Sequence, residues 1–369
     1  MIKKVAIVAF EIGVIKGFNK VRSAHIQLPY HLILDLKEKG YDVVLLTNKI
    51  RPNTFIPDEL KHINIEYIPD PIKRLKGHVM DVGFSTKPSM LGIIKSLAVI
   101  LAKIYNKKIP VIHFVNGSQG VGIFAGLISL IAVNKKVIWT PSFPFKTSNR
   151  IFLFLLKRIN KIVCSTDYLS NHLQSMQLNS KVIKHGIKRE FRLENLKKFR
   201  ITFWRDPSYQ NGADIACEVF ERLAPKYPDI LFTIMHRPFF DSLIKETSQK
   251  NIECYEYPYP DGITLEKVLS ESLACYFPFR ELSTNPQLCI LESVIAGIPS
   301  FVSDIESVSE YILDDRYLIK DNTVSEGCKK IINFLEKTSY RKVPQSPISN
   351  GFDWNKFTKN YLDIYNNDN

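Results

Sequence analysis

The sequence has few of the features that would place it outside the ordinary globular proteins. Its 369 residues include only 16 Gly and 20 Pro, which excludes collagen-like and low-complexity chains. The longest apolar run, residues 120–133, is shorter than the roughly 18–20 residues of a membrane-spanning helix. The six cysteines are dispersed, with no C-x-x-C pair and no histidine at metal-binding spacing, so we expect reduced thiols in the cytoplasm. The first ten residues indicate a buried strand rather than a secretory signal.

Acidic residues are scarce in the first half of the chain. Residues 1–187 contain 27 Lys and Arg against 10 Asp and Glu, whereas residues 188–369 contain 23 against 27. The resulting charges of +17 and −4 indicate a polyanionic partner for the first half. No nucleic-acid-binding motif is present, and basic blocks at 73–76 and 107–108 lie beside apolar segments. An anionic membrane surface is therefore the favoured partner, with a solvated basic face as the alternative.

Short β-branched segments alternate with helix-length amphipathic segments through most of the chain. This alternation predicts parallel sheets covered by helices on both faces, an α/β architecture. The pattern restarts after a charged stretch near residues 186–198, which predicts two doubly wound, Rossmann-like domains. Among other elements, it predicts strands over Lys136–Thr140 and Arg200–Trp204 and helices over Phe240–Ser248 and Pro286–Ala296. In such sheets, ligands bind at the carboxyl ends of the strands, and with two such units we expect the site in the cleft between them.

A dinucleotide-binding motif of relaxed form lies at residues 120–125. The segment Gly-Val-Gly-Ile-Phe-Ala follows a predicted strand and opens a predicted helix. No acidic residue stands about 20 positions further on, where one would bind a ribose hydroxyl. Close packing of small residues in a buried helix is the favoured interpretation, and a nicotinamide-dependent enzyme is the weaker one.

Residues 277–304 carry the strongest indication of a site. They predict a strand, a loop, a helix with Asn285 at its N-cap and Pro286 at its first position, a stop at Gly297 and another strand. The loop amides over 283–287 would form an anion site at the start of that helix. Glu292 lies in the apolar helix, where a carboxylate requires hydrogen-bonding partners such as sugar hydroxyls. The alternative is an amphipathic helix with one exposed glutamate.

The segment from Leu291 to Asp304 resembles the retaining GT-B glycosyltransferases of family 4. That resemblance implies two Rossmann-like domains, over 1–190 for the acceptor and 191–350 for the nucleotide-sugar donor, and a helix over 351–369 that crosses back to the first domain. The family has a Glu-x7-Glu motif, whose second Glu corresponds to Glu292. The first corresponds to Thr284, and Glu281 lies three residues away.

The resemblance also assigns roles to residues elsewhere in the chain. Arg205 corresponds to an Arg that holds the donor phosphates, and Gln210 stands where the family has a Lys. His113 falls in the region of a catalytic histidine, although a lone histidine in a strand is more often a core residue. The catalytic residues so implied are His113, Glu292 and Thr284. The donor-binding residues so implied are Gly13, Arg205, Gln210, Tyr257, Glu281, Ser283, Asn285, Gln287, Leu288 and Glu292.

The activity implied by the resemblance is retaining transfer of a sugar from a nucleoside diphosphate to a saccharide or lipid-linked acceptor. No metal and no cofactor beyond the donor are expected, and no nucleic-acid partner. We expect a cytoplasmic protein that can bind the inner face of the cell membrane, in cell-surface glycan synthesis. Two alternatives stay open: a non-catalytic paralogue that binds a nucleotide sugar or glycan, and a nucleotide-sugar epimerase of the same architecture.

Overall fold

The chain divides into two compact units in the computed structural model. Unit 1 comprises residues 1–184 and 358–369, and unit 2 comprises residues 185–357. The boundary lies six residues before the predicted one at 190. The structure describes residues 3–10, 12, 14–15, 24–48, 54–69, 90–117, 119–188, 199–237, 242–244, 247–282, 284–337 and 353–366.

The strands of unit 1 form one parallel sheet of seven and a small antiparallel pair. The larger sheet has the order β5-β3-β1-β6-β7-β8-β9, and the pair joins β2 and β4. The strands are β1 (Lys4–Val8), β2 (Val14–Ile15), β3 (Asp42–Asn48), β4 (Thr54–Phe55), β5 (Asn64–Ile68), β6 (Val111–Val115), β7 (Lys136–Thr140), β8 (Lys161–Cys164) and β9 (Ser180–Val182).

Helices cover both faces of this sheet, which explains why its central strands are continuous apolar runs. The helices are α1 (Ala24–Glu38), α2 (Met90–Asn106), α3 (Gln119–Ile131), α4 (Arg150–Lys157) and α5 (Asp167–Gln174). Helices α2 to α5 pack on one face, in a core that includes Ile100, Phe124, Leu156 and Leu169. Helix α1 lies on the other face together with a helix from the far end of the chain, described below.

Unit 2 repeats the architecture with a parallel sheet of six strands in the order β12-β11-β10-β13-β14-β15. Its strands are β10 (Arg200–Trp204), β11 (Leu231–His236), β12 (Ile252–Glu256), β13 (Ser272–Phe277), β14 (Ser300–Ser303) and β15 (Leu318–Ile319). Its helices are α6 (Ala213–Leu223), α7 (Leu265–Ser270), α8 (Leu288–Ile295) and α9 (Val324–Lys337). Helices α6 and α9 share one core. Helix α8 packs on the opposite face, where the Ser293 hydroxyl accepts a hydrogen bond from the Trp204 indole.

The last helix, α10 (Trp354–Asn366), begins in unit 2 and ends in unit 1. Its later residues pack on the unit 1 sheet beside α1, where the Thr358 hydroxyl donates to Asp35 at 2.9 Å. The predicted alternation of strands and helices is thus present in both units. Two strands, β7 and β10, agree with the predicted bounds to the residue.

One predicted helix in unit 2 is wrong. Within Phe240–Ser248, residues 242–244 and 247–248 are described, and neither part is helical. The Leu243 backbone amide instead donates to the Pro207 carbonyl, a loop contact of 3.0 Å. Among the residues that the structure describes, no helix combines the length and the apolar composition needed to cross a membrane.

Candidate donor site

Charged residues collect at the carboxyl edge of the unit 2 sheet. Arg205 and Asp206 follow β10, and Arg237 follows the neighbouring strand β11. Arg237 binds Asp206 in a bidentate pair, with Nε–Oδ1 at 2.7 Å and Nη2–Oδ2 at 2.5 Å. Burial alone would raise the pKa of Asp206, but the hydrogen bonds and charge of Arg237, with the charge of Arg205, hold it below its ordinary value. Two guanidinium groups thus face one carboxylate, which leaves this cluster with one positive charge in excess.

Helix α8 brings Glu292 into the same neighbourhood. Burial raises the pKa of the Cys289 thiol, the nearby charge of Arg205 opposes that rise, and the charge of Glu292 adds to it. Cys289 therefore lies within electrostatic reach of both residues. Glu292 is 3% exposed, so the alternative interpretation, an exposed glutamate on an amphipathic helix, is wrong. The structure brings Arg205 and Glu292, two of the predicted donor residues, to one place.

The loop before α8 is fixed by its own side chains. The Thr284 hydroxyl lies 2.7 Å from Gln287 Oε1 and 3.0 Å from the Pro286 carbonyl. Asn285 donates its amide to Glu306 at 2.5 Å and accepts a hydrogen bond from the Ser307 hydroxyl. All three loop side chains, those of Thr284, Asn285 and Gln287, are buried.

The predicted start of α8 is two residues early. The helix begins at Leu288, itself buried, with Gln287 at the N-cap, so Asn285 is not the cap and Pro286 is not the first helical residue. The physical reason is that the Asn285 side chain forms hydrogen bonds with Glu306 and Ser307 instead of capping the helix amides. Of the remaining loop predictions, Glu281 is exposed, and Ser283 lies outside the described residues.

The loop after β10 packs closely on the loop after β13. The Gln210 carbonyl accepts hydrogen bonds from the backbone amides of Arg280 and Glu281, at 2.8 and 3.3 Å, while its side chain is exposed. Gly212 has φ +69°, and a Cβ at this position would lie 1.8 Å from the Pro278 carbonyl oxygen. Only glycine fits here, because both the backbone conformation and the close approach exclude a side chain.

Arg280 is a functional candidate that the sequence analysis missed. Its guanidinium lies 3.7 Å from the Tyr209 ring centroid and donates 2.7 and 2.8 Å hydrogen bonds to both oxygens of Asp214. These bonds are the largest cause of the lowered pKa of Asp214. A cation therefore stands beside Gln210, the neutral residue at the position of the family lysine. Its place in the loop just after β13 was the available indication.

Aromatic residues border the same edge after β12. The Tyr257 backbone amide donates to the His236 carbonyl at 2.9 Å, and its ring centroid is 5.3 Å from that of Tyr259. Burial lowers the pKa of Arg237, but the hydrogen bonds and charge of Asp206 outweigh that effect and raise it. Tyr259 is close enough to Arg237 to add to this rise. Tyr257 thus lies near the charged cluster, as its predicted role in donor binding requires.

In unit 1, the structure places His113 inside the core. The residue is 0% exposed, with Nδ1 2.6 Å from the Tyr365 hydroxyl and Nε2 2.8 Å from the Thr140 hydroxyl. Its ring stacks on Tyr361 at 5.2 Å, and burial lowers the pKa of His113 to about 3. A neutral imidazole with both nitrogens occupied fits the core interpretation rather than the catalytic one. The other unit 1 prediction, Gly13, lies outside the described residues.

The G-x-G-x-x-A segment of α3 also has a packing explanation. A Cβ at Gly122 would lie 2.5 Å from the Trp139 ring, and one at Gly126 would lie 2.4 Å from the Leu155 carbonyl oxygen. These small residues let the helix approach β7 and α4 closely. This geometry agrees with the favoured interpretation of the segment.

The sequence matches no known protein family, and no curated protein matches it. The structure, in contrast, matches solved structures of known proteins. A glycosyltransferase from Rickettsia africae ESF-5 matches the structure with a TM-score of 0.66 at 13% identity, over 99% of this chain and 98% of that one. Anabaena HepE, solved with UDP and glucose, matches with 0.65 at 13% identity, over 98% and 99%. The fold is GT-B.

A third similar structure is also a glycosyltransferase. WaaG, a glycosyltransferase involved in lipopolysaccharide biosynthesis, matches with a TM-score of 0.64 at 10% identity, over 98% of this chain and 99% of that one. At such identities the likeness establishes the architecture of two Rossmann-like domains. The function must be argued from the residues of this chain.

Proposed function

We propose that this protein is a glycosyltransferase that moves a sugar from a nucleoside diphosphate to a saccharide or lipid-linked acceptor. The observation that carries the proposal is the arginine cluster at the carboxyl edge of the unit 2 sheet, where Arg205 adjoins the Asp206–Arg237 pair. Diphosphate carries the complementary charge, and the carboxyl edge is where parallel sheets bind ligands. The glycosyltransferases of the same fold support the class of reaction.

The proposed chemistry is retaining and needs no metal. The acceptor hydroxyl oxygen forms the new bond to the anomeric carbon, the bond from that carbon to the diphosphate oxygen breaks, and the acceptor proton passes to the diphosphate. Arg205 and the backbone amides at the start of α8 stabilise the negative charge that develops on the leaving group. Glu292 accepts hydrogen bonds from hydroxyls of the donor. Attack on the face from which the diphosphate departs gives retention in one step and requires no nucleophilic carboxylate.

The proposal extends to the place and partners of the reaction. A saccharide or lipid-linked acceptor belongs to unit 1, and the +17 charge of the first half favours an anionic membrane surface. The protein would then act in the cytoplasm or at the inner face of the cell membrane, in the synthesis of a surface polysaccharide.

A second candidate, a non-catalytic binder of nucleotide sugars, is favoured by one observation. Thr284 stands where family 4 has the first Glu of its motif, and its hydroxyl is used within the loop, by Pro286 and Gln287. A chain without that carboxylate could retain donor binding and lose transfer. Assays with a panel of nucleotide sugars separate the two functions, because only an enzyme consumes donor. An epimerase would convert donor in the absence of any acceptor.

The phosphate role of Arg205 is tested by calorimetry with a nucleoside diphosphate and its nucleoside. Arg205→Ala should weaken diphosphate binding by ~1.5–3 kcal/mol, because a charge-assisted hydrogen bond is lost, and should leave nucleoside binding unchanged. Arg222→Ala is the control, since Arg222 is an exposed cation of the same unit paired with Glu218 on α6. Equal diphosphate affinities for wild type and Arg205→Ala would contradict the assignment.

The role of Glu292 is tested by the amide variant. Glu292→Gln keeps the shape and loses the charge, so we expect kcat/KM to fall about ten- to a hundredfold with little change in the melting temperature. If turnover stays intact while the melting temperature falls by several degrees, Glu292 is a structural carboxylate of α8. The site would then have to be redrawn around Glu281.

A further inference from the structure

The outer side of α2 is apolar along most of its length. The 17-residue helix contains two lysines and no acidic residue, and it buries Ser96, Ile100 and Ile104 against unit 1. On its solvent side, apolar residues recur three or four positions apart, with Lys95 as an exposed cation among them. The exposed apolar residues are Leu91, Ile94, Ala98, Ala102 and Tyr105. A water-exposed helix face normally carries the polar residues, so the pattern is the reverse of the usual one.

The apolar surface continues onto α3 and α4. Val133, just after α3, is 78% exposed, and on α4 Ile151 and Phe154 are 69% and 46% exposed. Lys135 lies 5.6 Å from the Tyr105 ring centroid, which brings the turn after α3 to the end of α2. Helices α3 and α4 are themselves packed in close contact. The three helices therefore present one continuous surface, here called the α2–α4 face.

The charge around this face is predominantly positive. Between Asp81 and Asp167 the sequence has no acidic residue and 12 Lys and Arg. Lys103 and Lys107 are paired with Glu66 of β5, whereas Lys157 and Arg158 are exposed at the end of α4. The Arg158 guanidinium lies 4.6 Å from the Phe154 ring centroid, so cation and aromatic ring are presented together.

We propose that the α2–α4 face docks on an anionic lipid bilayer, with its apolar side chains in the interface and its cations among the acidic headgroups. Large exposed apolar patches mark interaction surfaces, and the excess of cations beside this one selects a negatively charged partner. Residues such as Ile151 and Phe154 gain by leaving water, while long Lys and Arg side chains reach the headgroups. This inference deepens the membrane part of the proposed function and locates it, and it does not depend on sugar transfer.

Vesicle co-sedimentation of the full chain tests the proposal, with phosphatidylglycerol–phosphatidylcholine vesicles against phosphatidylcholine alone. Wild type should bind the anionic vesicles and lose that binding near 0.5 M salt. Lys157→Gln with Arg158→Gln should weaken the partition about thirtyfold, at roughly tenfold or less per basic residue. Ile151→Ser with Phe154→Ser should weaken it about tenfold or more, because apolar burial is lost.

Matched control variants come from unit 2. Leu313→Ser changes an equally exposed apolar residue, and Lys329→Gln with Lys337→Gln removes two exposed cations from α9. Both should bind vesicles as wild type does. If the controls weaken binding as much as the α4 variants, the attraction is a property of net charge, and the assignment of the α2–α4 face is overturned.

Depth of insertion is read from tryptophan fluorescence. Ile151→Trp should be quenched by lipids brominated in their acyl chains, by more than the three native tryptophans are. No added quenching would contradict insertion of α4. Sedimentation velocity tests for a second copy of the chain as the competing occupant. If wild type binds no vesicles but forms a dimer, and Ile151→Ser with Phe154→Ser dissociates that dimer, the face belongs to a second copy. Diphosphate calorimetry on the same variants should be unchanged, which keeps this test separate from that of the donor site.

Discussion

The polar network inside the unit 1 sheet and the charged cluster of the unit 2 sheet lie at different places relative to the strand ends. In unit 1, His113 and Thr140 lie within the sheet, and the side chains of α10 satisfy them. In unit 2, the charged residues Arg205, Asp206 and Arg237 lie beyond the strand ends, at the edge where ligands bind. A buried polar residue in a parallel sheet is therefore not in itself a mark of a site. Position relative to the strand end is the more informative property.

The close packing of the unit 2 edge gives the largest expected effect. Gly212→Ala should lower the free energy of unfolding by about 3 kcal/mol, because it adds strain at positive φ and overpacking against the Pro278 carbonyl. Gly262→Ala is the matched control, since Gly262 has φ +77° with no atom within 4 Å of the added Cβ. It should cost about 1 kcal/mol.

Urea denaturation measures the difference between the two glycine variants. Similar losses would mean that the loop after β10 can move away from Pro278. The edge of unit 2 would then not be the rigid counterpart of the unit 1 core.

The buried network of unit 1 predicts a pH dependence of stability. The unfolded chain binds a proton at His113 near pH 6.5, whereas the folded protein does so only near pH 3. Stability is therefore full above about pH 6.5 and falls as the pH is lowered, by at most ~1.4 kcal/mol per pH unit. Between pH 6.5 and 4.5 the loss is about 2.5 kcal/mol.

His113→Gln removes this titration, so its stability should depend less on pH over the same interval. His172→Gln is the control, a half-buried histidine on α5 of the same unit, and it should retain the wild-type slope. The measurement is urea unfolding at pH 4.5, 5.5 and 6.5. If the free energy of unfolding of His113→Gln depends on pH as steeply as that of wild type, the imidazole is accessible to protons in the folded protein. The unit 1 network would then not be the closed core described here.

The smallest effect concerns the helix that covers this network. Tyr365→Phe removes the hydroxyl that lies 2.6 Å from His113 Nδ1, and we expect a loss of about 1–2 kcal/mol in thermal unfolding. Tyr105→Phe changes an exposed tyrosine of the same unit and should be within about 0.5 kcal/mol of wild type. A neutral Tyr365→Phe would mean that water replaces the hydroxyl, and that the network is less closed than the distances indicate.

Much of the fold follows from local patterns in the sequence. Continuous apolar strands such as Lys136–Thr140 are set by burial on both sides, and this is visible in composition. The start of α8 was missed because Asn285 bonds to Glu306 and Ser307, which come from a later segment of the chain. For the same reason, spacing alone could not place His113 against Tyr365, which lies 252 residues further along the chain.

The site was predicted in part and for identifiable reasons. Arg205 and Glu292 were found through a local motif, and the structure brings both near Cys289. Arg237 and Arg280 were missed because their significance depends on neighbouring strands and on pairing with Asp206 and Asp214. Such pairings join residues 31 and 66 positions apart, beyond the reach of a pattern.

The discontinuity of unit 1 bears on how the chain is assembled during synthesis. Residues 358–366 complete the first domain, yet the ribosome makes them only after the whole of the second. Until then, His113 and Thr140 lack the tyrosine hydroxyls that satisfy them in the finished protein. The usual order, in which an N-terminal domain folds first as it emerges, therefore cannot run to completion here. Unit 2 can reach its native state before the domain that precedes it.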